Sequence, residues 1–469
     1  MALHQAGSSI IAVGIRQFSG ANPTAARPPL QNVDGGLRRL IAKATNSPEY
    51  WSFAEVRNGY SHCYFRYPAM MVAEMQRHLI SIVLQLQPNV RTLADPFAGS
   101  GTVLLEAMFR GLDVHAYDVN PLAILLCKSK TVLCKPSELR EAARGLIQRA
   151  SQDRTTKIEA HFKGLDKWFS KGAKTELSAL RRAIREIHNL HIRRFLWVAL
   201  AETVRQTSKS RTSTYKLHIR PSEEHKSLPK PLVKFKEVVN RNINFHTRTR
   251  QKLERVNLVK KRRYGRQAQI AMHDARRLFS NRFDLIVTSP PYGDNQTTVP
   301  YGQSSYLALQ WIDFKDIDGR ISDTCLRTTY EIDNRSLGGR LPNGVVRRTH
   351  EEILKASASL AQVIKNIPKK PTDRRRRIFT FAQDLDLSLK AIAEAANSNA
   401  YLVFTLGNRR VANRRIPLDS IVAELFHHYG VKEILSISRK IPSKRMATRN
   451  SVAGTIRKER IAIFRKCAS

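Results

Sequence analysis

Apolar and polar positions along this chain switch repeatedly between two periods. Short β-like runs, Val90 with Thr92 to Ala94, Val114 to Tyr117, Ala268 to Met272, Phe283 to Val287 and Tyr401 to Thr405, alternate with longer stretches at helical spacing. Thr102 to Met108 begins an apolar helix soon after the first run. Leu177, Leu180, Ile184 and Ile187 recur along one helix face, Phe195 to Val204 is a second apolar helix, and Leu385 to Ala396 and Ile416 to Tyr429 read as two more. Strands alternating with helices predict an open α/β sheet.

Two strand ends carry unusual residues. After the first run comes Asp95-Pro96-Phe97-Ala98-Gly99-Ser100-Gly101-Thr102. Gly99 and Gly101 permit a tight turn and close approach to a ligand, and the helix opened by Thr102 presents an amino end that favours a carboxylate. The next run ends in Asp118, and an acid at the tip of a second strand commonly takes the ribose hydroxyls of an adenosine cofactor. Far downstream, Phe283 to Val287 leads into Thr288-Ser289-Pro290-Pro291-Tyr292, whose paired prolines fix the loop. Both strings fall at the carboxyl ends of strands, where open α/β sheets bind ligands.

Together the strings resemble the loop and catalytic motifs of the S-adenosylmethionine-dependent DNA amino-methyltransferases. The resemblance implies a class I Rossmann-like methyltransferase sheet, S-adenosylmethionine as cofactor, and double-stranded DNA as partner. Asp95, Pro96, Phe97, Gly99, Ser100, Gly101, Thr102 and Asp118 would serve the cofactor. Phe65-Arg66-Tyr67-Pro68-Ala69-Met70 looks like the family's amino-terminal cofactor motif, which adds Tyr67 and Pro68. Asp274, after the Ala268 to Met272 run, stands where an acid often faces the adenine amine, or else caps a helix. An exocyclic base amine has its lone pair delocalised into the ring, so a site must accept its hydrogens while presenting the methyl in line. In the family that task falls on positions matched here by Ser289 and the Pro290 carbonyl, with Pro291 beside them and Tyr292 stacking on the flipped base. Serine at the first position goes most often with cytosine N4 and aspartate or asparagine with adenine N6, so cytosine N4 is the expected target and adenine N6 the alternative. Methylation at carbon 5 would need a nucleophilic cysteine, and Cys63, Cys127, Cys134, Cys325 and Cys467 lack that context. Glu433 to Ser438 and Arg460 to Phe464 look like the antiparallel pair that closes such a sheet.

Charge adds a partner. Lysine and arginine number 80 against 39 acids, a net charge of +41, which points to a polyanion. About 150 residues separate Asp118 from Ala268, where a plain fold of this kind needs a helix and a turn. The chain is therefore expected to hold a flexible start (1–45), a cofactor half (46–135), a helical and basic insertion (136–265) and a catalytic half (266–469) with a basic variable segment near 318–377. Lys209, Arg211, Lys216 and the run Lys260, Lys261, Arg262, Arg263 are the candidate DNA contacts of the insertion, and Arg340 and Arg347 those of the variable segment. Five irregularly spaced cysteines indicate a reducing, cytoplasmic compartment and no structural zinc or other metal site, and no apolar run reaches the ~18 residues that span a bilayer. The restriction-modification setting implies a separately acting endonuclease; nothing in the chain fixes its presence or the oligomeric state. The rival reading is an RNA guanine-N2 methyltransferase, which shares the Asp-Pro-Phe loop; Ser289 and the short leader weigh against it. A catalytically silent nucleic-acid-binding protein would have no chemical reason to keep both motifs.

Overall fold

The computed structural model describes residues 30–47, 49–54, 59–295, 298–368, 372–441 and 456–467. Seven strands form its main sheet: β1 (Thr92–Asp95), β2 (Asp113–Asp118), β3 (Ala268–Met272), β4 (Phe283–Thr288), β5 (Ala396–Gly407), β6 (Val431–Lys440) and β7 (Lys458–Lys466). Their spatial order is β6-β7-β5-β4-β1-β2-β3. Pairs β1/β2, β2/β3, β1/β4 and β4/β5 are parallel, and β7 runs antiparallel to both β5 and β6. This is the Rossmann-like methyltransferase sheet. The inner strands are buried on both faces, which is why they read as continuous apolar runs rather than alternating ones. Strand order reverses between β1 and β4, so their carboxyl ends open one crevice.

The insertion is helical and shares its core with the sheet's covering helices. Helices Pro136–Gln152, Lys171–Arg185, Leu190–Thr207 and Pro231–Glu254 join one apolar cluster with the helix Pro121–Thr131 and with Trp311. The last of them lies in the most basic part of the insertion, where its apolar positions are sparse. Phe235, Val238, Val239, Ile243 and Leu253, with Asn242, His246 and Thr249, form the buried stripe of a 24-residue helix whose exposed positions are mostly charged or polar. The charged majority hides the stripe in the sequence.

The start of the chain differs from the flexible segment expected over 1–45. Residues 1–29 lie outside the described ones, but Leu30–Ala44 is a helix with Leu37 and Ile41 buried. Its Asp34 accepts from the Tyr401 hydroxyl at 2.9 Å and pairs with Arg465, tying it to β5 and β7. Among the described residues no helix is long and apolar enough to cross a membrane, and no group of acids, histidines and cysteines is placed to hold a metal.

Candidate active site

One hydrogen bond joins the two motif strands. Thr288, the last residue of β4, donates its hydroxyl to Asp95 Oδ1 at 2.6 Å, and the same oxygen accepts from the Phe97 amide at 3.1 Å. Asp95 is buried, its Oδ2 has no partner among the described residues, and burial pushes its pKa up to about 7. It therefore does not reach the crevice as a ligand-binding acid. Its position makes it the clamp that sets both tips side by side.

The loop beyond it is held from beneath. Gly101 sits at φ 72°, and a Cβ there would lie 2.8 Å from Cys127 Sγ, so this cofactor-loop glycine is a packing residue that does not line the crevice. The buried Lys130 donates to the Ser100 carbonyl at 2.5 Å, and its pKa is pushed down to about 8 by desolvation. Asp118 receives the Gly99 and Asn120 amides, one on each oxygen, both at 2.8 Å. Burial still raises it to about 6.

Around these groups opens a cleft of about 830 Å³, the open solvent at its mouth included. Tyr67, Pro68, Pro96, Phe97, Gly99, Ser100, Thr102, Asp118 and Asp274 all line it, as does the catalytic-tip pair Ser289 and Pro291. The Tyr67 ring stacks on Tyr301 with centroids 5.9 Å apart, and its hydroxyl accepts from Asn120 Nδ2 at 3.1 Å. A carboxylate at a strand tip, a helix amino end and flat apolar walls suit a zwitterionic adenosine cofactor. Gly99 belongs to the same cradle, since a Cβ on it would come within 3.3 Å of the Tyr67 ring.

Three sequence-predicted roles change. Asp274 grips the buried Arg276 through both oxygens, at 2.9 and 2.7 Å, and accepts that residue's own amide at 3.0 Å. Its acceptor capacity is largely spent on a turn and an ion pair, which matches the capping alternative better than an adenine contact. Tyr292 and Pro290 do not line the cleft. The Tyr292 hydroxyl donates to Glu459 of β7 at 3.0 Å, and its ring lies so close to Gly407 that a Cβ there would be 2.3 Å from Cδ2. The ring is thus held against the end of β5 and is not displayed as a stacking platform.

Ser289 lines the cleft and is held there from β5. Its hydroxyl donates to the Thr405 carbonyl of β5 at 3.2 Å. With the proton so engaged, its oxygen lone pairs are left to accept from a bound amine.

The cleft also holds residues that the sequence reading did not assign. Asn120 caps the helix Pro121–Thr131, accepts the Leu122 amide and donates to Tyr67 and to Ser305 of the helix after the tip. The Asn-Pro pair at a helix start is the signal that marks it. Asn295 is 4% exposed and lines the cleft, with an Oδ1 that has no partner among the described residues. Its neighbour Asp294 is held by Arg377 and Arg409, at 3.5 and 3.4 Å.

The predicted DNA contacts separate into three groups. Lys209, Arg211 and Lys216 belong to a loop pinned by a Ser210–Ile219 bridge, whose Leu217 amide donates to Gln303 beside the cleft. Lys260, Lys261, Arg262 and Arg263 lie on a hairpin before β3, and its Tyr264 hydroxyl donates to the Met108 and Leu112 carbonyls ahead of β2. That is the starting edge of the parallel strands, the pole opposite the cleft, so this run is misplaced for contact with DNA at the site. Arg347 chelates the buried Asp384 at 2.6 and 3.1 Å, and Arg340 pairs with Glu331 at 3.1 Å, so both are engaged within the protein. The variable segment around them is packed, and its Ile332, Arg335, Ser336 and Leu337 form part of the cleft wall.

Comparison with known proteins agrees with this geometry. Residues 76–298 match the model of the D12 class N6 adenine-specific DNA methyltransferases. The chain is 32% identical over 433 residues to the type II methyltransferase M.MvaI of Kocuria varians, covering 90% of this chain and 93% of that one. Two structures of the rRNA methyltransferase aviRa from Streptomyces viridochromogenes align at 12% identity. They cover 90% and 97% of this chain, and 96% and 93% of their own, with TM-scores of 0.31 and 0.26, too loose a superposition to support any inference.

Proposed function

Since the chain belongs to the type II DNA amino-methyltransferases, with S-adenosylmethionine as methyl donor, we propose that it methylates the exocyclic amine of a base turned out of duplex DNA. The observation that carries this reading is the Thr288 to Asp95 hydrogen bond, which joins the cofactor-loop tip to the catalytic tip at the switch point of the sheet. S-adenosylmethionine supplies an electrophilic sulfonium methyl. Asp118, Tyr67, Pro68, Phe97 and Gly99 are the residues that would hold it.

Ser289 accepts one hydrogen of the target amine while its own proton rests on Thr405, which draws the nitrogen lone pair out of ring conjugation. Tyr292 acts by position, bracing the tip between Glu459 and Gly407.

Two observations bear on the base. The matched family is described as N6 adenine-specific, which favours adenine and reverses the order in which the sequence reading placed the two bases. Ser289 favours cytosine N4, by the family correlation noted above.

The test is to incubate the protein with methyl-labelled S-adenosylmethionine and either duplex DNA or total RNA, digest to nucleosides and identify the product by mass spectrometry. N6-methyldeoxyadenosine or N4-methyldeoxycytidine is the expected product, and whichever forms decides the base. Label confined to RNA, or placed on carbon 5 of cytosine, would overturn the reading.

A further inference from the structure

A second cleft lies behind the first. The segment Phe65 to Met70 divides them: Tyr67 and Pro68 face the cofactor cleft, Phe65 and Arg66 face the second, and Met70 lines both. Its other walls come from the insertion, through Glu202, Arg205 and Gln206 of the helix Leu190–Thr207, Arg220 after the pinned loop, and Lys234 and Arg241 of the helix Pro231–Glu254.

The charge of this lining is lopsided. Five cations, Arg66, Arg205, Arg220, Lys234 and Arg241, face one acid. That acid, Glu202, is buried and already chelated by Arg205 at 2.9 and 2.7 Å, with Gln206 on the same oxygen. Arg241 donates to the neutral oxygens of Tyr64 and Asn242. Lys234 and Arg220 meet Glu237 and Glu224, acids outside the lining and half exposed to solvent, pairs of the kind that contribute little. With Arg205 matched by Glu202, the half-buried Arg220, Lys234 and Arg241 leave the lining cationic and suited to an anion from outside. Lys234 and Arg241 are seven residues apart and share one face of their helix, as a track along the cleft requires.

We propose that this cleft holds the sugar-phosphate backbone of the DNA strand whose base enters the cofactor cleft. Its place beside Met70 sets phosphate contacts next to the site, as an extruded nucleotide demands. The assignment rests on the DNA-methyltransferase reading. It replaces the hairpin run Lys260 to Arg263 as the phosphate surface and gives the insertion its function.

The test compares charge changes inside and outside the cleft. Binding of a labelled duplex of mixed sequence is followed by fluorescence anisotropy across a salt series for Lys234→Glu and Arg220→Gln, with Lys236→Glu, exposed on the far side of the same helix, and Lys261→Glu as controls. The two cleft variants should bind about tenfold more weakly, with a salt slope shallower by about one for each cation removed, while the controls stay within about twofold. S-adenosylmethionine affinity, measured by calorimetry, should be unchanged in all four and reports that they are folded. If cleft and control variants weaken binding alike, or neither does, or the cleft variants affect only RNA, the proposal is overturned. Methyl transfer to DNA by the unmodified protein tests the underlying reading separately, so either can fail alone.

Discussion

The cofactor side and the target side of the cleft are built on opposite plans. On the cofactor side, the tips of β1 and β2 are neighbours in sequence, and the loop satisfies itself: Asp118 takes the amides of Gly99 and Asn120, and Lys130 takes the Ser100 carbonyl. On the target side, the tip of β4 borrows its supports from afar. Ser289 rests on Thr405, 116 residues on, and Tyr292 on Glu459, 167 residues on. Apart from the Thr288 to Asp95 clamp, these supports are local, so the binding loop is held mainly by its own neighbours. Distant supports make a catalytic tip that depends on the far edge of the sheet.

Substitutions can sharpen or break this contrast. The largest effect is expected from Ser289→Ala, which removes the acceptor proposed for the target amine: kcat should fall about 10²- to 10³-fold with S-adenosylmethionine affinity within about twofold, read by single-turnover transfer and calorimetry. Gly407→Ala comes next. Its Cβ would overlap the Tyr292 ring and displace the tip, so kcat should drop about 100-fold, again with cofactor binding retained. Lost cofactor binding in either variant would erase the division between the two sides.

Asp118→Asn acts on the other side. Removing a charged acceptor should weaken S-adenosylmethionine binding about tenfold above pH 7. Burial holds the Asp118 pKa at about 6, so unmodified protein should lose cofactor affinity as pH falls through that value, while the variant stays flat. A pH-independent affinity in the unmodified protein would remove Asp118 from the binding role. The same upward shift has the reverse sign for stability. Asp95 and Asp118 both resist ionisation in the fold, so the stability present below the ordinary aspartate range near pH ~4 declines as pH rises through about 6 to 7. The smallest change is expected for Tyr292→Phe, which deletes the Glu459 bond but keeps the ring against Gly407: about 1 kcal/mol of stability by chemical denaturation and a few-fold in kcat.

The contrast also explains what could be read from the sequence. The cofactor loop was legible because glycines, a helix start and an acid at the next strand tip are local signals. The motif at Ser289 was equally legible, but its partners were not, since no short-range pattern ties Thr405 or Glu459 to it. Asp95 looked like a ligand and is a clamp, because burial is a property of the assembled sheet. The run Lys260 to Arg263 was conspicuous by charge, yet position along a strand decides which pole it occupies, and it precedes β3. Arg66, Arg205, Arg220, Lys234 and Arg241 never form a run at all. They meet only when the insertion folds against the segment before β1.

The antiparallel strand β7 has a consequence for how the protein is made. It carries Glu459 and slots between β5 and β6, which are both synthesised before it. A growing chain emerging from the ribosome has the cofactor loop and the Pro-Pro-Tyr tip long before it has the residue that braces that tip. Folding of the catalytic side then waits for a late strand to enter the middle of a sheet.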